Sequence, residues 1–467
     1  MENLDVVIPR PQTIISAPGV LKVESVGEVI AGEGLERFAA VIVRNAGIMG
    51  LDFTQGGVPV KLELSPEIKV ESFELDISPA EVKISGGDMA GVFYGAGAFE
   101  QLLCAAVARG TRNAEIPCGK IVDSPRFSYR GFMLDSARHF QSVETIKSVL
   151  ALMAKLRLNV FHWHLCDSQG FRTESKLFPE LNTLGTMKPG FYTSEDIAEI
   201  RAFAAECFIT IIPEIEMPGH SQGLLALHPE LCCDPGNPGK EFCLAKPEVR
   251  TFLEKLITEF AAHFPDAKVM HLGGDEADTA HWNECPECQK LMKEKGYDDI
   301  RKLENDFMND MAAFVRSLGI TPVTWFTGSV MEQSTIIQVW RSIWELKETL
   351  KNGNRMIFSV HDQLYLDYPA SAAEPFENWM LVLTESGVYN TEPFAAWEKD
   401  IGDLLLGPET CLWTETVPDH RIMAKLNPRI YAFCETAWSQ AKRKEWYNYV
   451  HRKEVLSACG WFDLKAL

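Results

Sequence analysis

From Phe127 onward, short apolar runs recur along the chain. Each ends in a polar, aromatic or acidic residue, and amphipathic stretches separate them. The runs are GFMLD (131–135), NVFHWHL (159–165), ITIIPEIEM (209–217), VMHLGGDE (269–276), PVTWF (322–326), IIQVW (336–340), RMIFSV (355–360) and TCLWTE (410–415). Between them lie stretches with helical periodicity: VETIKSVLALMAKL (143–156), SEDIAEIRAFAAEC (194–207) and PEVRTFLEKLITEFAAHF (247–264). Ser194 is the expected N-cap of the second. Strands that alternate with helices predict a parallel sheet. Eight of them in roughly 300 residues predict a closed (β/α)8 barrel. A doubly wound open sheet is the other architecture with this alternation. It fits less well, because no glycine-rich phosphate turn follows the first run.

The residues before this region follow a different period. VPVKLELS (58–65) and ESFELDIS (71–78) alternate apolar and polar positions, the pattern of half-buried antiparallel strands, and VKIS (82–85) reads as a third strand. GGDMAGVFYGAGAFEQLL (86–103) then reads as a turn entering a helix, with Asp88 as N-cap. The expected organisation is a small α+β domain over residues 1–125, followed by a (β/α)8 TIM barrel over residues 126–467.

Composition changes this picture little. A 467-residue chain with 46% hydrophobic and 24% charged residues is ordinary globular material. A formal charge of −20 argues against a nucleic-acid partner, since phosphate binding needs a basic patch. No apolar run reaches the length of a membrane span, and no export signal stands at the N-terminus, so a soluble protein is expected. The compartment stays open between cytoplasmic and exported, and the assembly state is open too, a homodimer included.

In barrels of this kind the active site lies at the C-terminal strand ends. Asp135, His164, Asp167, Glu216, Asp275, Glu276, Trp325, Trp340, Tyr365, Trp413 and Glu415 all fall there. Asp275 and Glu276 follow two glycines at a strand end, where the chain can turn and bring both carboxylates to one pocket. Gly273 and Gly274 then read as clearance for a ligand. Trp325, Trp340 and Trp413 at the same end would wall an apolar pocket, which suits the flat faces of a sugar. The spacing of His162 and His164 raises a catalytic metal, but no third ligand follows by spacing, and carboxylate support is the better reading for His164 and His220. Paired carboxylates, aromatic walls and no cofactor motif point to glycoside hydrolysis.

The ordered segments YRGFMLDSARHF (129–140), NVFHWHLCDSQGFR (159–172), YTSEDI (192–197), IPEIEMPGHS (212–221), HLGGDEA (271–277), YLDYP (365–369) and LWTE (412–415) resemble those of glycoside hydrolase family 20, the β-N-acetylhexosaminidases. Residues 8–103 resemble that family's small N-terminal domain. The resemblance implies a barrel enzyme that removes terminal β-linked N-acetylglucosamine or N-acetylgalactosamine from glycans. It does so with retention, the substrate's 2-acetamido oxygen attacking to form an oxazolinium intermediate, and it needs no cofactor. By resemblance Glu276 is the general acid/base, and a charged neighbour would keep its pKa high. Asp275 orients the acetamido group, and Tyr365 donates to its oxygen. Trp325, Trp340 and Trp413 box its methyl. Arg130 binds the C3 and C4 hydroxyls, Asp367 and Glu415 bind O4 and O6, and Asp167, His164 and His220 support the acidic pair. The other functions compatible with the residues are a retaining glycosidase with a protein nucleophile and a non-catalytic amino-sugar-binding protein.

Five of the twelve cysteines fall on two segments: Cys232, Cys233 and Cys243 after the third run, Cys285 and Cys288 in CPEC after the fourth. Consecutive barrel loops are neighbours. Cys233, Cys243, Cys285 and Cys288 could therefore hold a structural zinc. A loop-tying disulfide and free thiols are the competing readings. No catalytic metal is expected.

Overall fold

A computed structural model describes residues 4–53, 56–108, 114–185, 189–341, 346–375, 379–395 and 401–463. All eight apolar runs become strands of one closed parallel barrel. Six strands precede or open this order in the small domain: β1 (Thr13–Lys22), β2 (Val26–Ala31), β3 (Val58–Leu64), β4 (Phe73–Ile77), β5 (Val82–Gly86) and β6 (Glu115–Asp123). The barrel begins with β7 (Gly131–Asp135) and β8 (Val160–His164). A two-residue hairpin follows, β9 (Cys166–Asp167) and β10 (Gly170–Phe171). The remaining barrel strands are β11 (Thr210–Glu214), β12 (Val269–His271), β13 (Thr321–Trp325), β14 (Ile336–Val339), β15 (Met356–Phe358) and β16 (Leu405–Leu412). Around the barrel the order is β7-β8-β11-β12-β13-β14-β15-β16, closed by β16 pairing with β7.

Two strand boundaries moved. β16 starts five residues before the expected run because Gly407 and Pro408, which read as a break, are carried inside the strand by a bulge opposite Met356 and Ile357. β11 leaves the ladder at Glu214, so Glu216 stands beyond the strand in the loop. The expected helices form as α3 (Val143–Lys155), α4 (Ser194–Glu206) and α6 (Pro247–Ala262), with a short α5 (Gln222–Leu227) before α6. The N-cap of α4 is Thr193 rather than Ser194. Thr193 accepts from the Asp196 N–H while the Asp196 carboxylate accepts from the Thr193 N–H, a reciprocal capping box that Ser194, one position inside, cannot make.

The small domain is a six-stranded mixed sheet in the order β1-β6-β4-β5-β3-β2. The run at 58–65, expected as antiparallel, is parallel to both of its neighbours, β2 and β5. Alternation reports which face is buried and carries no strand direction. The helices of this domain are α1 (Glu36–Ile48) and α2 (Met89–Val107). α2 is capped by the Asp88 carboxylate, which accepts from the Gly91 N–H. α2 is long and apolar enough to cross a bilayer, yet nearly all of its residues are buried between the sheet and the barrel's outer helices. Its apolar character serves that two-sided packing.

The two units are joined at the N-terminal end of the barrel. Arg130, fully buried, donates to the carbonyls of Phe127 and Arg157 at 2.8 Å and pairs with Glu71 of the small domain at 2.5 Å. Arg157 pairs with Asp123 at 2.6 Å, and the Trp438 indole donates to the same carboxylate at 3.1 Å. Breaking such a buried pair by removing one partner costs about 3–5 kcal/mol, so these contacts set the seating of the domain.

Candidate active site

A cavity of about 320 Å³ opens at the C-terminal ends of the barrel strands. Asp275 and Glu276 reach it because the chain turns sharply after β12. Gly273 (φ 65°), Gly274 (φ 106°) and Glu276 (φ 51°) all lie in the left-handed region. A side chain at Gly273 would run into the Glu216 carboxylate, and one at Gly274 would meet Met308 Cε at 2.9 Å. The Gly274 N–H donates to Glu216 Oε1 at 2.8 Å. The clearance expected for a sugar is therefore taken by Glu216: the glycines let a buried side chain pack under the turn that presents the acidic pair.

Behind the pair runs a continuous chain of polar contacts. Glu214, the last residue of β11, is fully buried and meets His162 at 3.1 Å, His271 at 2.8 Å, the Trp325 indole at 2.8 Å, and His164 Nδ1. Burial would raise its pKa, but the three histidines hold it well below the usual carboxylate range. His164 Nε2 reaches Asp167 at 3.1 Å. Asp167 pairs with Arg138 at 2.8 Å and with His220 Nδ1 at 3.3 Å, and His220 Nε2 ends the chain 3.6 Å from Glu276 Oε2. Burial opposes the charged form of His220, but its contacts with Asp167 and Glu276 outweigh that and raise its pKa to about 12. His220 therefore stands as an imidazolium between two carboxylates.

That charge divides the acidic pair. Contact with His220 holds Glu276 below its ordinary value, against the partial burial that would raise it. Burial pushes Asp275 up to about 6, the charge of His220 opposing and that of Glu276 adding. The expectation that a charged neighbour keeps Glu276 high is reversed in the open site. Half of the Glu276 side chain is exposed, so burial falls on Asp275 instead. One oxygen of each carboxylate lies within 4.8 Å of the other and of a His220 nitrogen.

The opposite wall is aromatic and acidic. Trp340 and Trp413 line the cavity beside Tyr365, and the Tyr365 and Trp413 ring centroids are 6.1 Å apart. Trp325 sits one layer deeper, 2% exposed, its ring 5.9 Å from Trp413 and its indole tied to Glu214. Asp367 is 5% exposed, and its Oδ1 has no hydrogen-bond partner although buried. Burial, with the nearby charge of Glu415, raises Asp367 to about 8. Glu415 is half-exposed, 3.8 Å from Arg138.

Arg130 is absent from this wall. As the residue preceding β7 it stands at the opposite end of the barrel from the cavity, held by Glu71. The arginine that reaches the cavity is Arg138, three residues past the C-terminal end of β7. It is 6% exposed, with its guanidinium 5.0 Å from the Trp413 ring and paired to Asp135 and Asp167. Sequence reasoning also missed Glu214, which reads as a strand residue, and Trp379, a 64% exposed rim residue in a segment with no strand signal. For Arg138 a signal existed: it follows a strand's C-terminal end, whereas Arg130 precedes its strand.

The structure brings Cys233, Cys243, Cys285 and Cys288 together beside the loops that carry His220 and Glu276. Cys232 turns away and donates to the carbonyls of Pro229 and Asp234.

Residues 127–441 match the family described as glycosyl hydrolase family 20, catalytic domain, and residues 6–124 match its domain 2. A β-hexosaminidase of Akkermansia muciniphila is 30% identical over 411 residues, covering 82% of this chain and 82% of its own. One from Porphyromonas gingivalis is 29% identical, covering 99% of this chain and 64% of its own. Among solved structures, an exo-β-N-acetylglucosaminidase of Vibrio harveyi in complex with N-acetylglucosamine superposes with a TM-score of 0.87 at 28% identity. It covers 99% of this chain and 78% of its own. A mutant β-hexosaminidase of Streptomyces plicatus in complex with its product N-acetylglucosamine gives 0.83 at 27%, covering 99% and 96%.

Proposed function

The chain belongs to glycosyl hydrolase family 20, and from that premise we infer that the cavity removes a terminal β-linked N-acetylhexosamine from glycans with retention of configuration. The observation that carries this reading is the closeness of Asp275 and Glu276. With one oxygen of each within 4.8 Å of the other, both open on a cavity walled by Trp340, Tyr365 and Trp413, so the carboxylate beside the acid is placed to orient an acetamido group against those walls. In the family's chemistry the substrate supplies its own nucleophile, and no cofactor is required.

The residues then divide the work. Glu276 protonates the leaving oxygen and later takes a proton from the incoming water. Asp275 accepts the acetamido N–H, fixes the acetamido oxygen for attack and stabilises the positive charge of the oxazolinium ion. Tyr365 donates to the acetamido oxygen. Trp340 and Trp413 enclose the methyl, with Trp325 backing them. Arg138, Asp367 and Glu415 bind the ring hydroxyls. A bound hydroxyl would satisfy the unpartnered Asp367 Oδ1.

Substrate binding also corrects the order of the two pKa values. In the open site the pair holds its proton preferentially on Asp275. An acetamido N–H bonded to Asp275 favours its ionised form, and a sugar that expels water from Glu276 favours its neutral form. The proton is thereby moved to the residue that must donate it.

Hydrolysis of a chromogenic β-N-acetylglucosaminide tests the assignment. Glu276→Gln should fall about 10²–10⁴-fold in kcat with an unchanged Tm. A 2-hydroxy analogue, which lacks the internal nucleophile, should be inert to the unmodified protein. Turnover of that analogue at the rate of the acetamido sugar would instead assign the attack to a carboxylate of the protein.

A further inference from the structure

We propose that Cys233, Cys243, Cys285 and Cys288 form a zinc tetrathiolate that pins together the two loops carrying His220 and the Asp275–Glu276 pair. The four sulfurs come from two chain segments and converge on one point. Cys243 Sγ lies 3.7 Å from Cys288 Sγ and 4.0 Å from Cys285 Sγ, and Cys233 Sγ lies 4.0 Å from Cys288 Sγ. Each of the four is within 4.8 Å of the other three. Zinc–sulfur bonds of about 2.3 Å in a tetrahedron place neighbouring sulfurs about 3.8 Å apart, so the cluster has the size of a zinc cage. Disulfides would divide the sulfurs into pairs. Here Cys288 is near both Cys233 and Cys243, and Cys243 near both Cys285 and Cys288, the mutual approach that a shared central ion explains.

The surroundings favour thiolates. Cys243, Cys285 and Cys288 are buried, and Cys233 is partly so. Cys285 is the N-cap of the ten-residue helix Pro286–Lys295, and Cys288 lies in its first turn. The unpaired N–H groups and dipole at that helix start stabilise negative charge. On binding, the four thiols release their protons to solvent and the ion takes their place. Cys232, adjacent in sequence, has its thiol spent on backbone carbonyls, which explains why only one residue of that pair is a ligand.

The cage sits where its loss reaches the reaction centre. Segment 240–243 is stitched on one side to the His220 loop: the Ser221 N–H donates to the Lys240 carbonyl at 2.9 Å and the Phe242 N–H to the Pro218 carbonyl at 3.0 Å. On the other side it is stitched to the loop after Glu276. The Asp278 N–H donates to Glu241 at 3.2 Å, and the Trp282 indole to the Phe242 carbonyl at 2.9 Å. A clamp at Cys243, Cys285 and Cys288 therefore fixes the distance between His220 and Glu276. Misplacing catalytic groups by about 1 Å costs about 10²-fold, which sets the scale for activity once the zinc is gone. That activity effect rests on the hydrolase reading, whereas zinc content does not.

The test is elemental analysis of the full chain, expressed in ordinary medium and purified without added metal or chelator. About one zinc per chain is expected, falling below about 0.1 in Cys285→Ser/Cys288→Ser. Thiol titration in denaturant with EDTA should count all twelve cysteines without reductant. Should the double variant not fold, cobalt incorporated into the unmodified protein should give visible bands of a tetrahedral thiolate site. Negligible zinc in the unmodified protein, iron in its place, full zinc in a folded double variant, or a disulfide mapped between any two of Cys233, Cys243, Cys285 and Cys288 would each overturn the proposal.

Discussion

Replacing Gly273 by alanine separates two uses of the glycine. If its bare Cα leaves room for the sugar, Gly273→Ala should raise KM and leave stability alone. The packing says otherwise, because the added methyl would collide with the Glu216 carboxylate, which is 1% exposed. Two costs combine. Alanine at φ 65° pays about 1–2 kcal/mol for the left-handed region, and overpacking a filled site costs about 1–3 kcal/mol. The expected loss is about 2–5 kcal/mol. At about 2 °C per kcal/mol in a domain of this size, Tm falls by about 4–10 °C. Activity falls as well, mainly in kcat, because the turn that presents Asp275 and Glu276 must shift. The decisive measurement is the double-mutant cycle with Glu216→Ala, read by thermal denaturation. With the carboxylate gone the methyl has space, and only the backbone share of the cost, about 1–2 kcal/mol, should remain. Additive effects in that cycle, or a rise in KM at unchanged Tm, would refute the argument.

The reassignment of the sugar-binding arginine predicts a contrast. Arg138→Ala should lower kcat/KM for a β-N-acetylglucosaminide by about 10²-fold or more, losing a charged contact together with the anchor of Asp167. Arg130→Ala should lower Tm through the unpaired Glu71 contact while KM stays within about twofold, and a large KM effect from Arg130→Ala would restore it to the pocket. The pH dependence follows from Asp275. Its pKa, raised to about 6 by burial, leaves it ionised above that value and protonated below. The proton that the sugar moves to Glu276 is the one Asp275 holds below that value, so kcat/KM should fall on the alkaline side of about pH 6, where the pair has lost it. A profile that rises through pH 6 and stays level above it would show that the working proton does not come from Asp275. His220→Ala removes the cation that holds Glu276 down, so the pKa of Glu276, followed by NMR in the free protein, should rise. An unchanged value would mean that the 3.6 Å contact carries no coupling.

The barrel was legible because each strand announces itself twice, as an apolar run and as a polar or aromatic residue at its exit. Length and direction were less so. A Gly-Pro pair inside β16 reads as a break until the bulge that absorbs it is seen, and the run at 58–65 carries burial but no strand direction. β1, β2 and β6 escaped because they show no clean alternation. β1 is exposed along nearly all its length, so it has no buried face to encode.

In the site, legibility followed distance from the strand ends. Asp275 and Glu276 were found because they end a run, and the four cysteines because their loops are consecutive. What sequence could not weigh was competition for the same volume and the same charge. Gly273 reads as space for a ligand until Glu216 is found packed into it. Glu276 reads as the raised acid until His220 is found 3.6 Å away, made a cation by an aspartate from another strand's loop. The two facts belong together. Glu216 can pack beneath the turn because burial and the charges of Asp275 and Glu214 keep it neutral there, so it adds no second anion under the pair. His220 and Asp167 supply the charge balance above it. An acidic pair held over a neutral buried carboxyl and beside the His220 imidazolium has one proton to place. Whichever group the sugar desolvates receives it, which is the condition for an acid that is charged while the site is open and protonated once it is filled.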